Sequence, residues 1–260
     1  MKALGIDIGG SALKGALVNV RSGELTTERF KVETPTILTP EEMAAAVKQI
    51  VDHFKWRGRI GIGFPGVVLG PCTLTSANLH QRFIGLNAGK MFYDAVGCPV
   101  SLVNDADAAG IAEIKFGAGR DFQGTVLLLT LGTGVGSALF YRGVLYPNSE
   151  LGHLPIRGRS AERYISSAAR KRRGLSWKEW GTELGAYLRM LEMLLSPELI
   201  VIGGGVSAKS EKFFKYAKCR APKVTAAAFN SAGIVGAALW AVEQKRFSQA
   251  TTPAPCLQIS

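Results

Sequence analysis

Cysteines, acidic side chains and long apolar runs are all scarce in this 260-residue chain. The four cysteines, Cys72, Cys98, Cys219 and Cys256, stand apart with no C-x-x-C pair. Local spacing therefore writes neither a disulfide framework nor a zinc site, and reduced thiols are expected. Apolar runs such as 126–129 fall far short of the roughly 20 residues that cross a bilayer, so no membrane partner is expected. The opening Lys2-Ala3-Leu4-Gly5-Ile6-Asp7 is patterned as a strand and not as a basic-then-apolar leader, which gives a cytoplasmic expectation. Acidic residues number 20 against 31 lysines and arginines, a formal net charge of +11. Folding does not require that excess, and charge of this sign concentrates polyanions at a surface. Nucleic acid, an anionic membrane or a polyphosphorylated substrate would each meet it.

What is abundant is apolar sequence, 47% of the chain, arranged as strands alternating with helices. Strands are expected at 3–7, 12–19 and 25–32, at 60–64 and at 100–103. Thr39-Pro40-Glu41-Glu42 combines a capping threonine, a proline at the first helical position and a glutamate three residues after the cap, so a helix should run to about Phe54. A second helix is expected between the strands at 60–64 and 100–103, and a third should follow Asn104-Asp105 to about Phe116. The plan then starts again, with strands at 126–131, 136–141 and 144–146. Ser176-Trp177-Lys178-Glu179 forms another capping box, and Trp177, Trp180, Leu184, Leu188, Leu191 and Leu195 fall on one helical face. A buried strand at 199–202, a helix after Gly205 and a last helix from Ala232 to about Val242 complete the reading. The class is α/β, with sheets covered by helices. The expected division is residues 1–118 and 119–247, with the last helix free to pack back on the first domain, and a flexible tail at 248–260.

Three glycine turns follow strands: Asp7-Ile8-Gly9-Gly10-Ser11, Gly132-Thr133-Gly134 and Gly203-Gly204-Gly205. Turns of this kind expose N–H groups to an anion, although a plain hairpin or a tight strand-to-helix connection would use the same residues. Gly10 is expected where the backbone needs room or a positive φ. Neither of the first two turns reads G-x-x-x-x-G-K-[ST] or has the context of a Rossmann fingerprint. Two equivalent turns would hold a phosphate chain, with Thr133 as a hydroxyl donor and Asp7 placed for hydrated Mg²⁺. Asn104-Asp105-Ala106-Asp107 lies at a strand's carboxyl end, where α/β sheets place ligands. Capping is assigned there to Asp107, and acceptance of a hydroxyl proton to Asp105. Glu150 and His153 within one short turn suit vicinal hydroxyls, and no H-E-x-x-H spacing accompanies them. The run Arg170-Lys171-Arg172-Arg173 is read either as a solvated helix end or as a guide for a polyanion.

Taken together, Asp7-Ile8-Gly9-Gly10-Ser11, 104–110, 131–136 and Glu150-Leu151-Gly152-His153 resemble the ROK family of sugar kinases and repressors. Phe64-Pro65-Gly66-Val67-Val68, Ala77-Asn78, Pro147-Asn148-Ser149-Glu150, Leu175-Ser176-Trp177 and 232–238 resemble its polyphosphate glucokinase branch. The resemblance implies an actin/hexokinase-like (ribonuclease H-like) fold of duplicated domains with a central cleft, and a kinase acting on glucose. It implies Asp105 as general base and Asn78, Asn104, Glu150, His153 and Glu162 as sugar ligands. Asp7, Gly9, Gly10, Lys14, Thr133 and Gly203–Gly205 would then serve phosphate, metal and nucleotide. Inorganic polyphosphate and ATP are the implied donors, Mg²⁺ the cofactor and a homodimer the assembly. Many members carry a zinc-binding C-x-C-G-x-x-G-C, where this chain has Arg157-Gly158-Arg159-Ser160-Ala161, so no zinc is expected. Gln81-Arg82-Phe83 also departs from the branch's Lys-Ser-Trp-like run. The family's repressors add an amino-terminal DNA-binding domain, for which Asp7 leaves no room in this sequence. No specific nucleic-acid partner is expected, because basic charge alone gives only sequence-independent attraction. A kinase for mannose or N-acetylmannosamine is the alternative reading.

Overall fold

The computed structural model describes residues 1–10, 12–34, 38–76, 79–227 and 231–243. Ser11, Asn78 and the expected tail at 248–260 lie outside the described residues. The chain forms two compact units, which divide after Ala112 rather than at the loop that follows Phe116.

In the first unit, β1 (Lys2–Ile8), β2 (Ala12–Asn19), β3 (Phe30–Glu33) and helix α1 (Pro40–His53) precede β4 (Ile60–Phe64). A short hairpin of β5 (Val68–Leu69) and β6 (Cys72–Thr73) and helix α2 (Ala88–Val96) lead to β7 (Val100–Asn104) and the start of α3 (Asp105–Phe116). The sheet order is β3-β2-β1-β4-β7. The β2 pairings are antiparallel, and β1, β4 and β7 run parallel. The capping box at Thr39 is formed, with Glu42 N–H donating to Thr39 Oγ1 and Glu42 Oε2 accepting from Thr39 N–H at 2.8 Å. That box starts α1, whose face of Met43, Val47, Ile50 and Val51 is buried. β3 is shorter than expected, since Leu25 makes only an isolated bridge to Val18.

The second unit repeats this plan with β8 (Thr125–Leu131), β9 (Val135–Tyr141), β10 (Val144–Tyr146), the hairpin β11 (Pro155–Ile156) and β12 (Arg159–Ser160), and helices α4 (Glu162–Ile165), α5 (Ser167–Arg172) and α6 (Trp177–Leu195). β13 (Leu199–Gly203), the one-turn α7 (Ser210–Phe213) and β14 (Lys223–Thr225) follow. The sheet order, β10-β9-β8-β13-β14, has the same pattern of two antiparallel and two parallel pairings. Trp180, Leu184, Leu188 and Leu191 are fully buried on α6 beneath β8 and β13. After Gly205 the expected helix is only a 3-10 turn and α7, and β14 was not anticipated.

The last helix, α8 (Ala232–Glu243), belongs to the first unit. It is apolar on nearly every face and buried from Ile234 to Leu239. Trp240 anchors it by donating its indole N–H to Leu102 O at 2.7 Å. Cys98 and Cys219 are free thiols, but Cys72 is disulfide-bonded. That corrects the expectation of reduced thiols throughout: pairing across the fold depends on which Cβ atoms meet, and local spacing does not encode it.

Candidate active site

In the first unit the expected residues gather at the carboxyl ends of parallel strands. Asp7 on β1 stands in register with Gly63 of β4 and opposite Lys14 of β2. Burial pushes its carboxyl pKa up, and the Lys14 ammonium partly offsets this. The start of α8 abuts it: a methyl group on Gly233 would lie 3.0 Å from Asp7 Cγ and Oδ1. The positive end of a helix dipole therefore faces this carboxylate. Gly9 N–H donates to Ala12 O at 3.0 Å, closing the turn. Gly10 has no neighbouring atom within 4 Å of a Cβ position, and its φ is not in the left-handed region. The expected need for room or positive φ at Gly10 is thus not imposed by the fold, and its missing side chain leaves open space at the turn.

Asn104 ends β7 and is almost completely buried. Its Oδ1 accepts from the N–H groups of Ala106 (2.9 Å) and Asp107 (3.1 Å), while Nδ2 donates to Gly66 O at 3.1 Å. Asn104 therefore caps α3, correcting the assignment of that role to Asp107. A capping side chain must precede the first helical residue, whereas Asp107 sits inside the first turn and is itself a donor to the cap. Asp105, the first residue of α3, is half-buried, with Oδ1 accepting from Ala106 N–H at 2.8 Å.

In the second unit two glycine turns lie side by side at the ends of parallel strands β8 and β13. Gly203 is in register with Thr130. Gly204 has φ +81°, and a methyl group there would meet Leu131 O at 2.7 Å, so both dihedral and space require glycine. In the neighbouring turn Gly132 N–H donates to Gly134 O at 3.0 Å, and Gly132 O accepts from Ala168 N–H at 3.1 Å. Thr133 and Gly205 are exposed. A methyl group on Gly134 would stand 2.5 Å from Glu162 Oε2, which brings the turn against that carboxylate.

Glu150, His153 and Glu162 come together beside this turn. His153 Nε2 lies 3.4 Å from Glu150 Oε2. Burial raises the pKa of Glu150; His153 opposes that shift and Glu162 adds to it. Three supports were not read from the sequence: Ser137 Oγ accepts from Leu151 N–H at 3.0 Å, the Tyr187 hydroxyl donates to Leu151 O at 3.0 Å, and Gly152 backs onto the Val135 carbonyl. The signal for Tyr187 was available, since it follows Leu184 by one helical turn on the buried face of α6. A carboxyl whose folded pKa is raised contributes stability that is complete below the ordinary value of 4.5 and is lost as pH climbs through the raised value. Glu150→Gln removes that loss. Melting curves collected upward from pH 4.5 should show the variant gaining on the wild type as pH rises, and a difference independent of pH would exclude the burial penalty.

Of the basic run, three side chains have local partners. Arg170 stacks over Trp177 with its guanidinium carbon 3.9 Å from the ring centroid and donates to Leu175 O at 2.8 Å. Arg172 donates to Arg163 O at 3.1 Å, and Arg173 forms a two-pronged pair with Glu183 at 2.6 and 2.8 Å. The pair holds the Glu183 carboxyl below its usual range. These contacts fit the helix-end reading of the run, which leaves Lys171 as its one side chain without a hydrogen bond or ion pair among the described residues. Where a zinc motif stands in many ROK members, Arg157 (φ +50°) and Gly158 (φ +76°) make the two-residue turn of the β11–β12 hairpin.

Two sheets built on one repeated plan, with glycine turns and carboxylates at the ends of their parallel strands, define a sugar-kinase class of fold. The chain belongs to the ROK family, which it matches over residues 3–172. It is 41% identical over 239 residues to the polyphosphate glucokinase of Mycobacterium tuberculosis H37Rv, covering 92% of this chain and 90% of that one. The polyphosphate glucokinase of Mycobacterium leprae is 39% identical over 92% of this chain and 74% of its own length. Among solved structures, the inorganic polyphosphate/ATP-glucomannokinase of Arthrobacter sp. strain KM superposes with TM-score 0.87 at 42% identity, covering 94% of this chain and 99% of that one. The ROK glucokinase of Streptomyces griseus, at 24% identity and TM-score 0.78 over 94% of this chain and all of that one, shares the fold. The fold is the actin/hexokinase-like one.

Proposed function

We propose that this chain transfers a phosphoryl group from inorganic polyphosphate or ATP to the 6-hydroxyl of glucose. The observation that carries the reading is the grouping of Glu150, His153 and Glu162 against the Gly132–Gly134 turn: hydroxyl-binding side chains beside a phosphate-suited backbone. The mycobacterial relatives bear the name of this activity. In the proposed reaction Asp105 accepts the proton of the 6-hydroxyl as its oxygen bonds to the terminal phosphorus. The bond from that phosphorus to the rest of the donor breaks, and the shortened polyphosphate or ADP leaves. Asn104, by capping α3, fixes where Asp105 stands. Asn78, which lies outside the described residues, and Asn104 are carried as sugar ligands by family likeness alone. Lys14, Thr133 and the N–H groups of Gly9, Gly10, Gly132, Gly134 and Gly203–Gly205 suit the donor's anionic oxygens, as does Ser11, also outside the described residues.

Mg²⁺ commonly keeps several waters and takes one or two carboxylates together with substrate phosphates. The single carboxylate of Asp7, partly buried at the end of β1, fits that demand. Bound there, the ion would neutralise charge on the donor. Among the described residues no three His, Cys, Asp or Glu side chains gather to hold a metal by themselves. No described helix is long and apolar enough to cross a membrane; we propose a cytoplasmic homodimer. Initial rates with polyphosphate, ATP and GTP against glucose, mannose and N-acetylmannosamine test the assignment. Glucose 6-phosphate should form fastest with polyphosphate or ATP. Failure to phosphorylate glucose with either donor, or preference for the amino sugar, overturns it.

A further inference from the structure

Between Lys209 and Lys223 the chain carries six cations, Lys209, Lys212, Lys215, Lys218, Arg220 and Lys223, against Glu211 alone. Six minus one leaves five of the formal eleven excess charges in one segment of the second unit. The first four lysines recur every third residue, and all four are exposed. The residues between them explain the spacing. Phe213 and Ala217 are fully buried, and the segment presses onto α6 where two glycines admit it. A methyl group on Gly181 would lie 3.0 Å from Phe213 O, and one on Gly185 would lie 2.7 Å from Lys218 N. With the apolar side chains turned inward, the lysines are left on the outer surface.

None of the six forms an ion pair with a carboxylate among the described residues. This separates the segment from Arg170–Arg173, where Arg172 and Arg173 are held by hydrogen bonds to Arg163 O and Glu183 and Arg170 by Leu175 O; in the lysine segment only Lys215 has a ring contact, with Tyr216, among the described residues. Its near end starts four residues beyond Gly205, the last glycine of the turn beside Leu131. Its far end reaches a recess lined by Arg189, Lys218, Cys219 and Arg220, where Arg189 donates to Lys218 O at 2.8 Å. The recess also contains Glu192, which is buried and accepts the N–H of Ala221 at 2.5 Å.

We infer that Lys209, Lys212, Lys215, Lys218 and Arg220 form a track for the unreacted length of an inorganic polyphosphate chain whose terminal group lies at the glycine turns. The inference rests on the reading of polyphosphate as a donor. A flexible polymer with a charge on every unit matches regularly spaced ammonium groups that no carboxylate neutralises, Lys215 resting over the Tyr216 ring, whereas ATP has too few phosphates to follow them away from the turn. Such exposed contacts are screened by salt.

The test replaces Lys209, Lys212, Lys215 and Lys218 with glutamine, alongside a variant with arginine at the same four positions. KM is measured for long-chain polyphosphate, tripolyphosphate and ATP, and binding of labelled long-chain polyphosphate is measured directly in the absence of sugar. Removing four exposed ionic contacts should raise the long-chain KM and Kd by roughly tenfold or more. Tripolyphosphate and ATP should stay within about twofold, the arginine variant should behave as wild type, and added salt should reproduce the loss. Equal changes for long and short donors, or no change for either, overturn the track. So does tighter binding of a single-stranded RNA of matched charge than of polyphosphate, which would mark a nucleic-acid surface. If wild type turns over ATP but not polyphosphate, the donor reading fails; the track then stands only if direct polyphosphate binding is still lost in the glutamine variant.

Discussion

Asp105→Asn should lower kcat by roughly 10²–10⁴, the span that a general base commonly supplies, with glucose affinity nearly unchanged. The substitution keeps size and shape. The oxygen that accepts from Ala106 N–H at 2.8 Å can be kept by the amide, and the cap supplied by Asn104 is untouched, so α3 should begin where it does now. What disappears is the ability to take a proton. The attacking hydroxyl must then lose its proton to water, and that cost falls on the transition state and not on sugar binding. A coupled assay for glucose 6-phosphate gives kcat, and calorimetry gives glucose Kd. A kcat within a few-fold of wild type would remove Asp105 from the chemistry, while a large loss of glucose affinity would make it a sugar ligand instead.

The capping role of Asn104, which local reasoning gave to Asp107, shows where such reasoning stops. The capping boxes at Thr39 and Ser176 are self-contained, because both partners sit within three residues, and both helices start where the pattern places them. The duplicated plan was legible for a similar reason: three apolar strands joined by glycine turns appear twice in the chain. Asn104 needed more. Its carboxamide bonds to Gly66 as well as to the helix start, and a contact across 38 residues leaves no local trace. The same holds for Arg173, whose partner Glu183 lies a helix away, and for Cys72, whose pairing has no spacing signature. β14 is only three half-buried or exposed residues, so no period could mark it. The helix expected after Gly205 forms only as a 3-10 turn and the one-turn α7, and the chain beyond it packs closely on α6 at Gly181 and Gly185, a tertiary contact that no local pattern encodes.

Gly61→Ala should be among the most damaging single methyl additions to stability. Gly61 lies at the centre of the first unit's sheet, between β1 and β7 in the pairing of β4. A Cβ there would coincide with the carbonyl of Ala237 on α8 and sit 3.1 Å from Ala238 N. Gly5 meets the Ile234 carbonyl in the same way, so helix and sheet approach backbone to backbone at two points, and Gly236 of α8 meets Ala108 of α3 just as closely. Overpacking commonly costs about 1–3 kcal/mol and more where nothing can yield. Here the obstacle is main chain held by its own hydrogen bonds, not the tip of a flexible side chain, so the upper end applies. For a chain of this size about 3 kcal/mol corresponds to a Tm lower by roughly 6–12 °C. Gly10→Ala is the matching control, since no atom lies within 4 Å of its Cβ position and its φ is ordinary. Its Tm should stay at the wild-type value while the donor KM rises, because the methyl group enters open space at a turn whose N–H groups are proposed to meet the donor's phosphates. Thermal melts of the two variants decide the matter. A Gly61→Ala protein that melts within about 2 °C of wild type, under 1 kcal/mol for a chain of this length, would mean that α8 can slide off its seat on β4 at little cost.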